Sequence, residues 1–199
     1  MRADVIPVIF FSYKKDNTMS DIKLLGIAGS LRKASANRGL LRAAQSVLPA
    51  GVTLEIADLL DVPFYNADLT EVPASVQRIA RQASEADGFV FACTEYNYSM
   101  APALKNILDW ISRLPDTTIL NDKPAALMGA GGGMGTSRAQ YHLRQSCIYL
   151  NIHPLNKPEV FANAFAGGFD DQGNLKDEKI TALIADQMNA LADAIARRK

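Results

Sequence analysis

The sequence predicts an α/β fold: a five-stranded parallel sheet with helices on both faces, packed as a three-layer sandwich. Three observations lead there. Short apolar runs alternate along the chain with segments whose apolar residues recur at helical spacing, and such a succession closes as right-handed crossovers of a parallel sheet. The chain has 199 residues, enough for one domain with an ordinary core. Small-residue or polar loops stand at three strand-to-helix junctions, Gly29–Ala36, Thr94–Ala101 and Ala130–Gly135, and open sheets of this kind bind ligands beyond their carboxyl strand ends.

The elements follow in order. Residues 1–18 hold a short apolar run, Val5 to Phe11, broken by Pro7 and without a small-residue cleavage site, so they make a poor signal peptide. They read as an N-terminal extension, disordered or artefactual, with Met19 as an alternative start and residues 19–199 as a single domain. Ile22, Leu24, Leu25 and Ile27 mark the first strand; Leu40, Leu41, Ala44, Val47 and Leu48 mark the helix after it. Val52 to Leu59 reads as the second strand. Pro73 opens a helix through Ser84, with Val76, Ile79 and Ala83 on one face. Gly88 to Ala92 is all apolar, as in a strand buried on both sides. Pro102 begins a helix with Leu104, Ile107, Leu108 and Ile111 at helical spacing, which also favours the core for Trp110.

Pro124 to Gly129 is a fourth strand, followed by a glycine loop and a helix from about Thr136 to Tyr149. Asn151 to Phe161 holds the last strand, interrupted around Pro154 to Pro158, and Gly167 to Gly173 is a polar turn. The terminal helix runs from about Lys176, with Ile180, Leu183, Ile184, Met188, Leu191 and Ile195 as its core stripe. Asp177 and Glu178 at its start, and Arg197, Arg198 and Lys199 at its end, complement the dipole.

Charge narrows the function. Lys plus Arg and Asp plus Glu both number 21, so no global field favours nucleic acid or an anionic membrane. No apolar run approaches the roughly 18 residues a membrane helix requires. Cys93 and Cys147 are far apart, and with His142 and His153 as the sole histidines a structural zinc site is not supported. Both thiols read as buried small hydrophobes in a reducing, cytoplasmic setting.

Gly26 to Asn37, reading GIAGSLRKASAN, is the most informative stretch. A loop between a strand and a helix offers unpaired N–H groups and the positive end of the helix dipole. Ser30, Ser35 and Asn37 add hydroxyl and amide donors, and Arg32 a charged fork. The set suits a monophosphate dianion; the plainer alternative is a serine-rich N-cap loop with an incidental arginine. Walker-type spacing is absent, and the dinucleotide glycine spacing fails here and again in GAGGGMG, Gly129 to Gly135. Thr94 to Ala101 reads TEYNYSMA: Asn97 and the backbone can meet the edge of a planar heterocycle while Tyr96 or Tyr98 packs on its face, or these aromatics simply seal the sheet. The repeated glycines let the backbone approach a flat ring. His142 reads as a hydrogen-bonded helix residue, not a base.

Together the loops resemble the NADPH-dependent FMN reductase family, of flavodoxin-like fold, and its bacterial chromate and quinone reductase branch in particular. GSLRKASAN is similar to the family phosphate loop GSxRxxSxN, and EYNYSMAPALKNILDW to EYNxSxPxxLKNxIDW; SRAQYHLRQ and NKPEVF also resemble that branch. The likeness spans Asp21 to Lys199. It implies that Ser30, Arg32, Ser35 and Asn37 hold the FMN phosphate. Glu95, Tyr96, Asn97 and Tyr98 would then border the isoalloxazine on one side, and Ala130, Gly131 and Gly132 on the other. Where the branch often shows Ser-Pro-Gly this chain has Ala130-Gly131-Gly132, which removes a hydroxyl contact.

The resemblance further implies hydride transfer from NADPH or NADH through FMN to small acceptors: quinones, azo dyes, nitro compounds or metal anions such as chromate. The cofactor carries that chemistry, so no side chain is assigned as catalytic and no metal is expected. It also implies a homodimer or homotetramer, with Arg138, Tyr141 and Glu159 at positions of inter-dimer contact. Two competitors remain at this stage. A flavodoxin-type electron carrier would normally be strongly acidic, which the balanced charge opposes; a non-catalytic nucleotide-binding module would hold no flavin that a nicotinamide can reduce.

Overall fold

The computed structural model describes residues 21–199, so the expectation for residues 1–18 lies outside the described residues. Strand side chains alternate between the two sheet faces. On β1 (Ile22–Ala28), Leu25 and Ile27 face one way while Ile22, Leu24 and Ala28 face the other. On β3 (Gly88–Ala92) the same alternation separates Phe89 and Phe91 from Val90 and Ala92. The first set packs against α2 (Ala74–Glu85), α3 (Pro102–Ser112) and α4 (Ser137–Leu150). The second packs against α1 (Ala36–Ser46) and α5 (Glu178–Ala196). The expected three layers result.

With β2 (Val52–Ile56) and β6 (Pro124–Gly131), the lanes run β2–β1–β3–β6, all parallel. The fifth lane is divided, as the proline spacing predicts. β7 (His153–Pro154) pairs with Pro124 and Ala125, and β8 (Val160–Asn163) pairs with Met128 through Gly131. Six strands therefore fill five parallel lanes. Pro154 and Pro158 cannot donate to a ladder. Buried Gln187 of α5 serves the gap, its Nε2 donating to the carbonyls of Leu127 at 2.9 Å and Pro158 at 2.8 Å.

Boundaries shift where tertiary pairing decides them. β2 ends at Ile56, three residues short of the expected Leu59: the Ala57 amide still reaches Gly26 O at 2.8 Å, and Leu59 then buries itself beside α2 and α3. β6 runs two residues past Gly129 because β8 pairs with it there. α5 starts at Glu178, its first amides capped by Asp177, whose Oδ1 accepts from Lys179 N at 2.9 Å and Ile180 N at 3.2 Å. Trp110 is buried, and its Nε1 donates to Pro63 O at 2.8 Å with Tyr65 edge-on at 4.9 Å, fixing the β2–α2 loop on α3.

A small hairpin was not foreseen. β4 (Glu95–Tyr96) and β5 (Ser99–Met100) pair antiparallel across Asn97 and Tyr98, at φ 49 and 70. Type I′ hairpin turns need positive φ at both central residues, and without a glycine the sequence hid this one. The order of the lanes reverses between β1 and β3, so the loops after β1, β3 and β6 gather at one crevice.

A candidate flavin cleft at the carboxyl strand ends

The loop after β1 is built to leave donors free. Ser35 caps α1, its Oγ accepting from Arg38 N at 3.4 Å, and Ser30 Oγ accepts from Arg32 N at 3.4 Å. Both hydroxyls thus use an oxygen lone pair inward and keep the O–H proton to donate. The first amides of α1 have no intrahelical acceptor. Arg32 is exposed and has no ion-pair partner among the described residues. Donors and positive potential without an acceptor of their own suit an anion.

Asn37, expected as a phosphate donor, has a scaffold role in the structure. It is buried, and its amide closes on one residue of the glycine loop: Nδ2 donates to Ala130 O at 2.8 Å, and Oδ1 accepts from Ala130 N at 2.9 Å. This pair locks the first turn of α1 to the end of β6. Beyond it, Gly129 packs too tightly against Thr136 and Cys93 to hold a side chain. Around Gly132, by contrast, the space a Cβ would take is open.

Glu95 ties the third loop to α4. Its carboxylate, 9% exposed, accepts from Arg138 Nε at 2.8 Å and from Ala139 N at 3.2 Å in the helix's first turn, where negative charge meets the dipole favourably. Arg138 also lies over the Tyr98 ring, 3.7 Å from its centroid, which offsets the strain of the tyrosine's left-handed backbone. His142 Nδ1 pairs with Ser99 Oγ at 2.9 Å, a positioned helix residue as the sequence suggests.

These loops enclose a cleft of about 670 Å³. Ser30, Arg32, Ser35, Asn37, Glu95, Tyr96, Ala130, Gly131 and Gly132 all line it, whereas Asn97 and Tyr98 shape the hairpin and stay outside the lining. Sequence reasoning missed one wall: Phe165, Phe169, Asp170, Asp171 and Gly173. The stretch Gly167 to Gly173 was legible as a turn, but nothing in it announces a partner more than a hundred residues upstream. Thr94 was also missed; its Oγ1 is buried at the cleft wall and unpaired in the described structure.

Comparison with known proteins decides what this arrangement is. The family model for NADPH-dependent FMN reductase matches residues 22–167. The chain belongs to this family. It is 48% identical over 174 residues to an NAD(P)H-dependent FMN reductase of Pseudomonas aeruginosa, covering 86% of this chain and 94% of that protein. It is 46% identical over 166 residues to an NAD(P)H:quinone oxidoreductase of Solanum tuberosum, covering 79% and 84%. Among solved structures, FerB of Paracoccus denitrificans, a flavoenzyme NAD(P)H:acceptor oxidoreductase, superposes with a TM-score of 0.79 at 28% identity, covering 88% and 98%. The flavodoxin-like fold expected of this FMN reductase family member is therefore the one it has.

The residues of the cleft fit FMN: anion donors at one end, an open glycine backbone at Gly132 and an aromatic wall at Tyr96. Elsewhere the chemistry is quiet. Burial pushes both thiols up to about 12, so neither Cys93 nor Cys147 is a ready nucleophile. Among the described residues no cluster of His, Cys, Asp or Glu could hold a metal, and no helix is long and apolar enough to cross a membrane.

Proposed function

We propose that FMN lies in this cleft with its phosphate at Ser30, Arg32 and Ser35 and its ring between Tyr96 and the backbone of Ala130, Gly131 and Gly132, and that the acceptors are quinones. The chain is an FMN-dependent NAD(P)H oxidoreductase by family. When bound, the flavin supplies the redox chemistry, accepting reducing equivalents from NAD(P)H and passing them to the acceptor. The observation that carries the placement is the convergence, at one end of one cleft, of two donor hydroxyls, a guanidinium without an ion-pair partner among the described residues and a helix N-terminus.

The protein contributes placement and polarity. Ser30 and Ser35 donate to phosphate oxygens; Arg32 neutralises their charge. Main-chain N–H groups of the glycine loop face the polar edge of the ring, where they favour added negative charge. Asn37 acts by holding Ala130 in place, Glu95 by anchoring the start of α4, and Asn97 and Tyr98 by forming the turn that presents Tyr96. Quinones are the acceptor named for the potato relative, and an open ring face also admits chromate, azo and nitro compounds.

We place the enzyme in the cytoplasm, as a homodimer or homotetramer of a domain spanning residues 19–199. Tyr141 on α4 is 66% exposed and free to meet another subunit. Arg138 already pairs with Glu95, and Glu159 with Lys157, inside the chain, so any inter-dimer role of these two is shared with an internal one. The test is an absorption spectrum of the purified protein saturated with FMN, recorded without air before and after NADPH, then after a quinone. Bleaching by NADPH and recovery with the quinone are expected; retained flavin that NADPH leaves oxidised would overturn the reading.

A further inference from the structure

The wall that the sequence did not reveal carries a charge pattern of its own. The turn after β8 is pressed backbone to backbone onto the anion cradle. Gly173, at φ +74, leaves no room for a side chain: a Cβ there would sit 2.8 Å from the carbonyl of Ala34 and from the carbonyl carbon of Ser35. A Cβ on Gly39 would in turn collide with the Gly173 carbonyl. Arg42 of α1 fastens the same turn, its Nε donating to Asn174 Oδ1 at 2.8 Å and its Nη2 to Gln172 O at 3.3 Å.

Inside the turn, Asp170 Oδ1 accepts from Gln172 N at 2.9 Å and Asn174 N at 2.7 Å, and its Oδ2 accepts from Asn174 Nδ2 at 3.0 Å. These donors hold the Asp170 carboxyl below its ordinary range and fix the loop. Asp171 follows, exposed, lining the cleft and without an ion-pair partner among the described residues.

We infer that Asp171, presented by this rigid turn, is a specificity-determining residue that restricts the cradle to a terminal monophosphate and so selects FMN against flavin dinucleotides. The inference rests on the proposed placement of the FMN phosphate. With the ring toward Tyr96 and Gly132, the phosphate lies at Ser30–Ser35, and whatever continues past it meets the turn that touches Ala34 and Ser35. A terminal phosphate stops at Arg32. The second phosphate of a dinucleotide would carry another negative charge toward Asp171, with Phe165 and Phe169 beside it and no cation but Arg32 in the described lining.

The test uses the full chain stripped of flavin, titrated with FMN and with FAD by flavin fluorescence. It compares wild type, Asp171→Asn, Asp171→Lys and, as a reference, Arg32→Ala. The ratio of FAD to FMN dissociation constants is expected to fall about five-fold in Asp171→Asn and further in Asp171→Lys, with the wild-type ratio shrinking as salt is raised. A ratio unchanged by both Asp171 variants overturns the inference, as does equal exclusion of FAD from every variant that binds FMN, which would make the wall steric. Failure of wild type to bind FMN, or FMN binding indifferent to Arg32→Ala, removes the phosphate placement itself and the inference with it.

Discussion

Asn37 and Ala130 lie 93 residues apart in sequence, yet one side-chain amide satisfies both backbone polar atoms of one buried residue, at 2.8 and 2.9 Å. The contact joins the two loops that must agree in position for one ligand to touch both. A fold that lets β6 run past β3 leaves the peptide of Ala130 in need of partners on that side, and Asn is the shortest side chain offering a donor and an acceptor side by side.

Removing that amide should therefore act on stability and on cofactor together. In Asn37→Ala, Ala130 N–H and C=O stay buried and lose their partner, a cost of about 1–3 kcal/mol. Urea unfolding should show that loss, and FMN affinity should fall more than stability alone explains. Asn37→Asp keeps the acceptor for Ala130 N–H but sets a carboxylate against Ala130 O and close to the phosphate; FMN should bind more weakly there than in the Ala variant. Equal FMN affinity in the two would sink the geometric account.

Arg32 should matter for affinity and little for folding. Its guanidinium is exposed and makes no ion pair among the described residues, so Arg32→Ala should leave the unfolding free energy within the noise. Losing a charge-assisted contact with the phosphate should weaken FMN by roughly tenfold or more. Arg32→Lys should recover only part of it, because a point charge replaces a fork. The salt dependence of FMN binding should flatten in the Ala variant, read by fluorescence titration from low to high salt.

The lanes were legible because their signals are local. Alternation, helical periodicity and helix-opening prolines at 73 and 102 are set by neighbours within a few residues, and Pro154 and Pro158 even foretold the broken fifth lane. What escaped was decided across space. The Asn97–Tyr98 turn adopts a backbone that glycine usually marks, supported instead by Arg138 stacked on Tyr98 from another element. The same distance hid Asn37's true partner and the wall formed by Phe165 to Gly173. Side chains expected to face a ligand, Glu95 and Asn37 among them, line the cleft and also hold the protein that surrounds it.

Two glycines should separate scaffold from site. Gly39→Ala drives a methyl group into the Gly173 carbonyl, backbone that cannot swing aside, so the protein should lose stability on the order of 1–3 kcal/mol. Gly132→Ala meets nothing within 4 Å and should unfold like wild type, while its methyl occupies the space where the ring approaches the backbone. Normal stability with weakened FMN retention is the expected result for Gly132→Ala. Undiminished retention would move the ring away from this loop.

The thiols give a pH test with a definite sign. Desolvation by burial, with a smaller contribution from the Glu95 charge, lifts Cys93 to about 12, and burial lifts Cys147 to about 12 against the opposing pull of Arg144. An unfolded thiol ionises near about 8.5. Below that pH both states hold their protons and the thiols do not alter stability. Between there and about 12 the unfolded chain releases protons that the folded chain keeps, so unfolding becomes easier by ~1.4 kcal/mol per pH unit for each thiol. Urea unfolding in reductant, compared between pH 7.5 and 9.5, should show this decline in wild type. It should be halved in Cys93→Ala and nearly abolished in the Cys93→Ala/Cys147→Ala double variant. An alkaline slope undiminished by the double substitution would mean that the thiols contribute none of it and charge as freely in the folded protein as in the unfolded one.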